Sequence, residues 1–201
     1  MKAQRFNHKN YTTTKVVNNI LRVYNKADKP NNWYNEANYL AHWLAVKYLN
    51  NIDEPVSNEN IAKVCGILAA LSPLKNWNEN KKITELFLKD GTCKHTRVMS
   101  QKANDILTSN GEIDIISDIL RGSKITSFFL NILQPEKSQA VTIDRHAISI
   151  AIGTKIVGAK LKLSINQYEF FANCYRIAGL KLGVKPLVVQ STTWITWREL
   201  K

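Results

Sequence analysis

Apolar residues recur at three- and four-residue intervals through most of this chain, and no stretch alternates apolar and polar for the length of a strand. The cleanest example is Trp33 to Leu49, where Ala37, Leu40, Ala41, Leu44, Ala45 and Tyr48 fall on one helical face. Tyr11 to Tyr24 repeats the pattern with Val16, Val17, Ile20 and Leu21. Ser57 is a natural N-cap for a helix over Glu59 to Leu71, stopped by Pro73. Further helices are expected over Lys81 to Lys89, Met99 to Leu107 and Ile113 to Leu120. Ser164 with Gln167 is a capping box opening Tyr168 to Leu180, and Pro186 opens the last helix. The expectation is an all-α fold of roughly eight to ten short helices. The β-branched run Val184 to Val189 is too short and isolated to alter it.

At 201 residues the chain is long enough for a substantial core, and it is expected to form one domain with two lobes. Residues 1–56 and 156–201 would pack as one lobe, and 57–155 as the other. No apolar run reaches the roughly 18 to 20 residues of a membrane span, so no membrane partner is expected. The polar, basic start lacks the apolar core of a secretory signal, which points to the cytoplasm. Cys65, Cys93 and Cys174 are odd in number and far apart, fitting neither a disulfide framework nor a metal motif. His8, His42, His95 and His146 are scattered, so no metal site and no cofactor are expected. The net charge of +12 favours a polyanionic partner.

The stretch from Leu120 to Gly153 carries the most chemistry. A turn, Arg121-Gly122-Ser123, leads into Lys124 and an apolar run through Phe128, Phe129 and Ile132. A polar loop containing Pro135 leads to Ile143-Asp144-Arg145-His146 and a second apolar run ending at Gly153. Backbone N–H groups at a helix start bind phosphate well, Gly122 permits close approach, and Arg121 and Lys124 add charge. An ordinary interhelical turn accounts for the same residues. Asp144 is a good N-cap for the helix it opens, and a carboxylate fixed there can also stabilise a developing sugar cation. His146 beside it reads as a hydrogen-bonding residue.

This layout resembles the helix-hairpin-helix DNA glycosylase superfamily, the endonuclease III-like base-excision enzymes. Gly122-Ser123-Lys124 falls where that family has the hairpin Gly-x-Lys, and Ile143-Asp144-Arg145-His146 where it has its apolar-Asp-x-His. Upstream, Leu71-Ser72-Pro73 matches a Leu-Ser at the DNA-facing loop, and Lys102-Ala103-Asn104-Asp105-Ile106 matches a Lys-Ala-x-x-Ile helix start. Together these cover roughly residues 57 to 155. The chain departs from the family at the hairpin, where Leu120 stands in place of the first glycine.

The resemblance implies a two-lobed helical enzyme acting as a monomer on double-stranded DNA. It would flip a damaged or modified base and cleave its N-glycosidic bond, with Asp144 as the catalytic carboxylate. Lys124 would be the Schiff-base nucleophile of bifunctional members, or a phosphate contact. Arg121, Gly122, Ser123 and Arg145 would contact the DNA backbone. Ser72, Leu74 and Lys75 would approach the duplex, with Leu74 the wedge that fills the gap left by the base. Alternatively, Leu74 and Trp77 staple the loop to the core. The family's four-cysteine iron–sulfur motif is absent, because only Cys174 follows Asp144. Two alternatives stay open: a phage-type base-hypermodification enzyme performing group transfer on the same fold, and a non-catalytic DNA-binding protein. Trp194 and Trp197, three apart near the end, read as sealing a core edge rather than stacking on bases.

Overall fold

In a computed structural model the chain is all-α, with ten helices among the described residues, which are 10–51, 54–156 and 161–200. They are α1 (Thr13–Tyr24), α2 (Trp33–Leu49), α3 (Asn58–Ala70), α4 (Trp77–Asp90), α5 (Arg97–Thr108), α6 (Ile113–Leu120), α7 (Ser123–Leu133), α8 (Arg145–Ile152), α9 (Ile165–Leu182) and α10 (Pro186–Glu199). None of them is long and apolar enough to cross a membrane.

The helices divide into two compact units, and the division does not fall at residues 56 and 156. One unit comprises residues 1–34 and 137–201, the other residues 35–136. Most of α2 therefore belongs with α3 to α7, and the Asp144 helix belongs with the two ends of the chain. The reason lies in packing. The segment before Asp144 is threaded through the terminal unit's core, where Val141 and Ile143 are buried with α1, α8, α9 and α10. Helical period shows which face of a helix is apolar, but not which neighbour covers it.

The terminal unit buries Val16, Val17, Ile20 and Val23 of α1 against Ile148 and Ile150 of α8 and Phe171, Tyr175 and Ala178 of α9. Val189 of α10 completes this cluster.

The inserted unit is built around α3, which nine buried residues make the central helix; it packs against α4, α5, α6 and α7. Gly66 allows this, because a Cβ there would lie 2.7 Å from Ile116 Cγ2. Phe87, Ile106, Ile116, Leu120 and Phe129 are fully buried around α3, and truncating such an aromatic costs about 3–5 kcal/mol. Asn38 Nδ2 donates to the Ile132 and Leu133 carbonyls and so caps the end of α7.

Three local expectations need correction. α4 starts at Trp77 rather than Lys81, because Asn76 and Glu79 form a capping box. α5 starts at Arg97, so Lys102 and Ala103 lie inside the helix and do not open it. The connection expected between Pro73 and Lys81 is correspondingly short, with Trp77 to Asn80 inside α4.

Candidate functional site

Asp144 is the best-defined polar group of the terminal unit. It is the N-cap of α8, in extended conformation, and Oδ1 accepts from the Ala147 backbone N–H at 2.8 Å. Oδ2 accepts from the indole Nε1–H of Trp194 on α10, at 3.2 Å. Both oxygens are thus engaged by donors held on helices, and no salt bridge among the described residues neutralises the group. The side chain is half-buried, so it retains a solvent-facing side.

The backbone leading to Asp144 is pinned by tyrosines. The Tyr168 hydroxyl accepts from Ile143 N–H at 3.1 Å and donates to the Val141 carbonyl at 2.7 Å. The Tyr175 hydroxyl donates to the Ala147 carbonyl at 3.1 Å, and burial pushes its pKa far above the usual phenol value, so it stays a donor. Tyr34 donates to Gln190 Oε1 at 2.9 Å. A phenol has one proton, so the Thr142 hydroxyl supplies the proton of the 3.1 Å Tyr34–Thr142 bond. These buried bonds give the segment from Val141 to Ala147 little freedom, which pre-organises the carboxylate.

Trp194 is the hub of what surrounds Asp144. The His146 ring meets it edge-to-face with centroids 5.9 Å apart, and the Arg198 guanidinium lies 4.5 Å over its ring. Arg145, the first residue of α8, is exposed. Chemically, this is a fixed carboxylate held by two neutral donors, able to stabilise positive charge developing on a bound group. The expected core-edge role fits Trp197, which packs on the terminal unit's core. Trp194 instead bonds Asp144, a partner 50 residues away that spacing could not reveal. Tyr34, Tyr168 and Gln190 were likewise invisible as site residues, since each reads as an ordinary helix residue.

The remaining predicted residues lie in the inserted unit. α6 ends at the buried Leu120, so the residue that the resemblance sets in place of a hairpin glycine is a core side chain. The turn is made by Arg121 (φ 50°) and Gly122 (φ 93°), both left-handed. Gly122 is the N-cap of α7 and provides no side-chain cap; a Cβ placed on it would meet nothing within 4 Å. Arg121, Gly122, Ser123 and Lys124 are all exposed. Arg121 Nε donates to the Asp118 carbonyl at 3.3 Å, and Lys102 Nζ donates to the Leu120 carbonyl. Partial burial, then the charge of Arg121, lowers the Lys102 pKa. The partly buried lysine at this turn is therefore Lys102, whereas Lys124 is exposed.

The loop after α3 is held by Ser72 Oγ on the Ala69 carbonyl (2.9 Å) and by His95 Nε2–H on the Pro73 carbonyl (2.9 Å). Lys75 N–H closes the turn on the Ser72 carbonyl at 3.2 Å, and the Lys75 side chain is half-buried. Leu74 is 95% exposed with φ 63°, so it does not staple the loop to the core. His95 stands two residues before α5, whose Arg97 lines an open groove of about 630 Å3 shared with Lys102 and Arg121. The Leu74 loop, the groove and the Gly122 turn are thus consecutive features of one unit.

A family model described as "Family of unknown function (DUF7178)" matches residues 2–201, and the chain belongs to that family. No curated protein and no solved structure matches it.

Proposed function

We propose that this protein is a DNA N-glycosylase of the helix-hairpin-helix type, acting on a damaged or modified base in duplex DNA. The observation that carries the reading is Asp144: a half-buried carboxylate at a helix start, both oxygens bonded, without a neutralising cation partner. In the proposed reaction the bond from C1′ to the base nitrogen breaks, and its electron pair leaves with the base. The sugar becomes an oxocarbenium ion. Asp144 stabilises that cation, and water adds at C1′ and loses a proton. The exposed Lys124 and the left-handed Arg121-Gly122 turn contact backbone phosphate, as helix N-termini do. Leu74, exposed on a strained backbone, fills the space left by the extruded base.

The test is mass spectrometry of bases released from a panel of damaged and modified duplexes, wild type against Asp144→Asn. Release by the wild type alone supports the assignment and names the substrate. DNA binding without release by the wild type refutes glycosylase action and favours group transfer or a binding module. Borohydride trapping of a covalent adduct that disappears in Lys124→Gln would make Lys124 the nucleophile and overturn its role as a phosphate contact.

A further inference from the structure

The positive charge of this chain is not spread over it. The unit formed by residues 1–34 and 137–201 holds 17 of the lysines and arginines and 4 of the aspartates and glutamates, a balance of 17 − 4 = +13. The inserted unit, residues 35–136, holds 11 and 12, a balance of 11 − 12 = −1. The two sum to the whole chain's +12. The unit that contains the Gly122 turn is therefore close to neutral, and the long-range attraction for a polyanion comes from the unit that contains Asp144.

Within that unit, two arginines stand beside Asp144. Arg198 is exposed, with its guanidinium over the Trp194 ring at 4.5 Å. The same Trp194 bonds Asp144 Oδ2, so one indole fixes both the carboxylate and the guanidinium. Arg145 follows Asp144 directly and is exposed at the start of α8. Neither arginine makes a salt bridge among the described residues. A planar guanidinium pre-oriented on an aromatic face keeps its donors available for two phosphate oxygens.

We infer that Arg198 and Arg145 are the principal phosphodiester contacts of this protein. They would grip the nucleic-acid backbone next to the nucleotide presented to Asp144. The inference deepens the glycosylase reading and rests on it for the role of Asp144; the phosphate contacts themselves require only DNA binding.

The experiment measures affinity for a fluorescent duplex over a range of salt concentrations, using the full chain. Arg198→Gln and Arg145→Gln should each lower the slope of log affinity against log salt by about 0.9, the value for one lost phosphate contact. Arg198→Lys should keep the slope but bind more weakly, because charge remains while the forked, planar donor set is lost. The exposed Lys82, Lys89 and Lys94 of the inserted unit, each changed to Gln, should leave the slope unchanged. Slopes unchanged in both arginine variants overturn the inference, and so does an equal loss from the three lysine variants. A wild type that does not bind DNA also overturns it. DNA binding with these slopes but without base release leaves the inference standing and removes the glycosylase reading.

Discussion

The bond between Trp194 and Asp144 sets the geometry of the candidate site, and it can be measured without knowing the substrate. Trp194→Phe keeps an aromatic ring beside His146 and Arg198 but removes the donor 3.2 Å from Oδ2. Asp144→Ala removes that bond and the 2.8 Å cap on Ala147 N–H. Loss of an N-cap costs about 1 kcal/mol. A hydrogen bond to a charged acceptor contributes about 1.5–3 kcal/mol, and the half-exposure of both partners argues for the lower end. Asp144→Ala should therefore cost about 2.5 kcal/mol, and the bond's share of Trp194→Phe should be about 1.5 kcal/mol. The double variant should be more stable than the sum of the singles predicts, by about 1.5 kcal/mol. Urea unfolding of the four proteins gives these values from midpoints at a common slope. A coupling below about 0.3 kcal/mol would mean that the two side chains act independently, and the pre-organised carboxylate would be lost as an argument. Asp144→Asn keeps the cap through its carbonyl oxygen and loses about 1.5 kcal/mol at Trp194, too little to unfold an ordinary domain. Loss of base release in that variant then reports chemistry.

Three other substitutions or conditions test separate parts of the structure. Arg121→Gly removes a left-handed backbone strain of about 1–3 kcal/mol and adds about 0.5–1 kcal/mol of unfolded-state entropy. It should raise stability by roughly 1 kcal/mol while weakening DNA binding; a drop in the urea midpoint refutes the strain. Thr84 Oγ1 and Asn80 Oδ1 are buried one turn apart on α4 without hydrogen-bond partners among the described residues, so Thr84→Val should be neutral or stabilising by up to about 1 kcal/mol. A loss beyond about 1 kcal/mol would show that the hydroxyl has a partner. Burial pushes the Cys174 thiol from 9.0 up to about 11, and it raises Cys65, Tyr175 and Tyr24 as well. A raised folded-state pKa gives stability that is complete below the unfolded value and lost as pH rises through the folded one. The urea midpoint should therefore hold to about pH 9 and fall between 9 and 11, and a midpoint unchanged to pH 11 refutes the burial of these groups.

Some of this architecture was legible because its cause is local. The period of apolar residues gave α2 its bounds at Trp33 and Leu49, and the Ser164–Gln167 capping box marked where α9 begins. Asp144 could be seen as an N-cap because a cap and the N–H that donates to it are three residues apart. The start of α4 was hidden because Pro73 and the polar residues around Trp77 resemble a loop, although Asn76 and Glu79 already form a capping-box pattern. The division into units was out of reach for a different reason. Val141, Thr142 and Ile143 reveal by composition that they are buried, but not that Tyr168 and Tyr34 hold them. Trp194 presents the same difficulty, since its donor finds Asp144 only after α8 and α10 have packed.

Leu74 and Arg121 are the two non-glycine residues with positive φ among the described residues. Each conformation costs of order 1–3 kcal/mol, and glycine would adopt it without strain. Neither residue repays that cost through burial, because Leu74 is 95% exposed and Arg121 is exposed as well. Arg121 bonds only backbone, through Asp118, and its charge disfavours that of nearby Lys102. Folding stability therefore gives no reason for a leucine at one position and an arginine at the other. The proposed function offers one, because both sit where the sequence pointed to DNA: an apolar tip for the duplex and a cation at the turn. Leu74→Gly separates the explanations. It should raise the urea midpoint, remove the side chain proposed to fill the gap in the base stack, and leave the salt slope of duplex binding intact, since no phosphate contact is lost. If Leu74→Gly lowers stability, the leucine is held by contacts within the protein and its exposure carries no functional meaning.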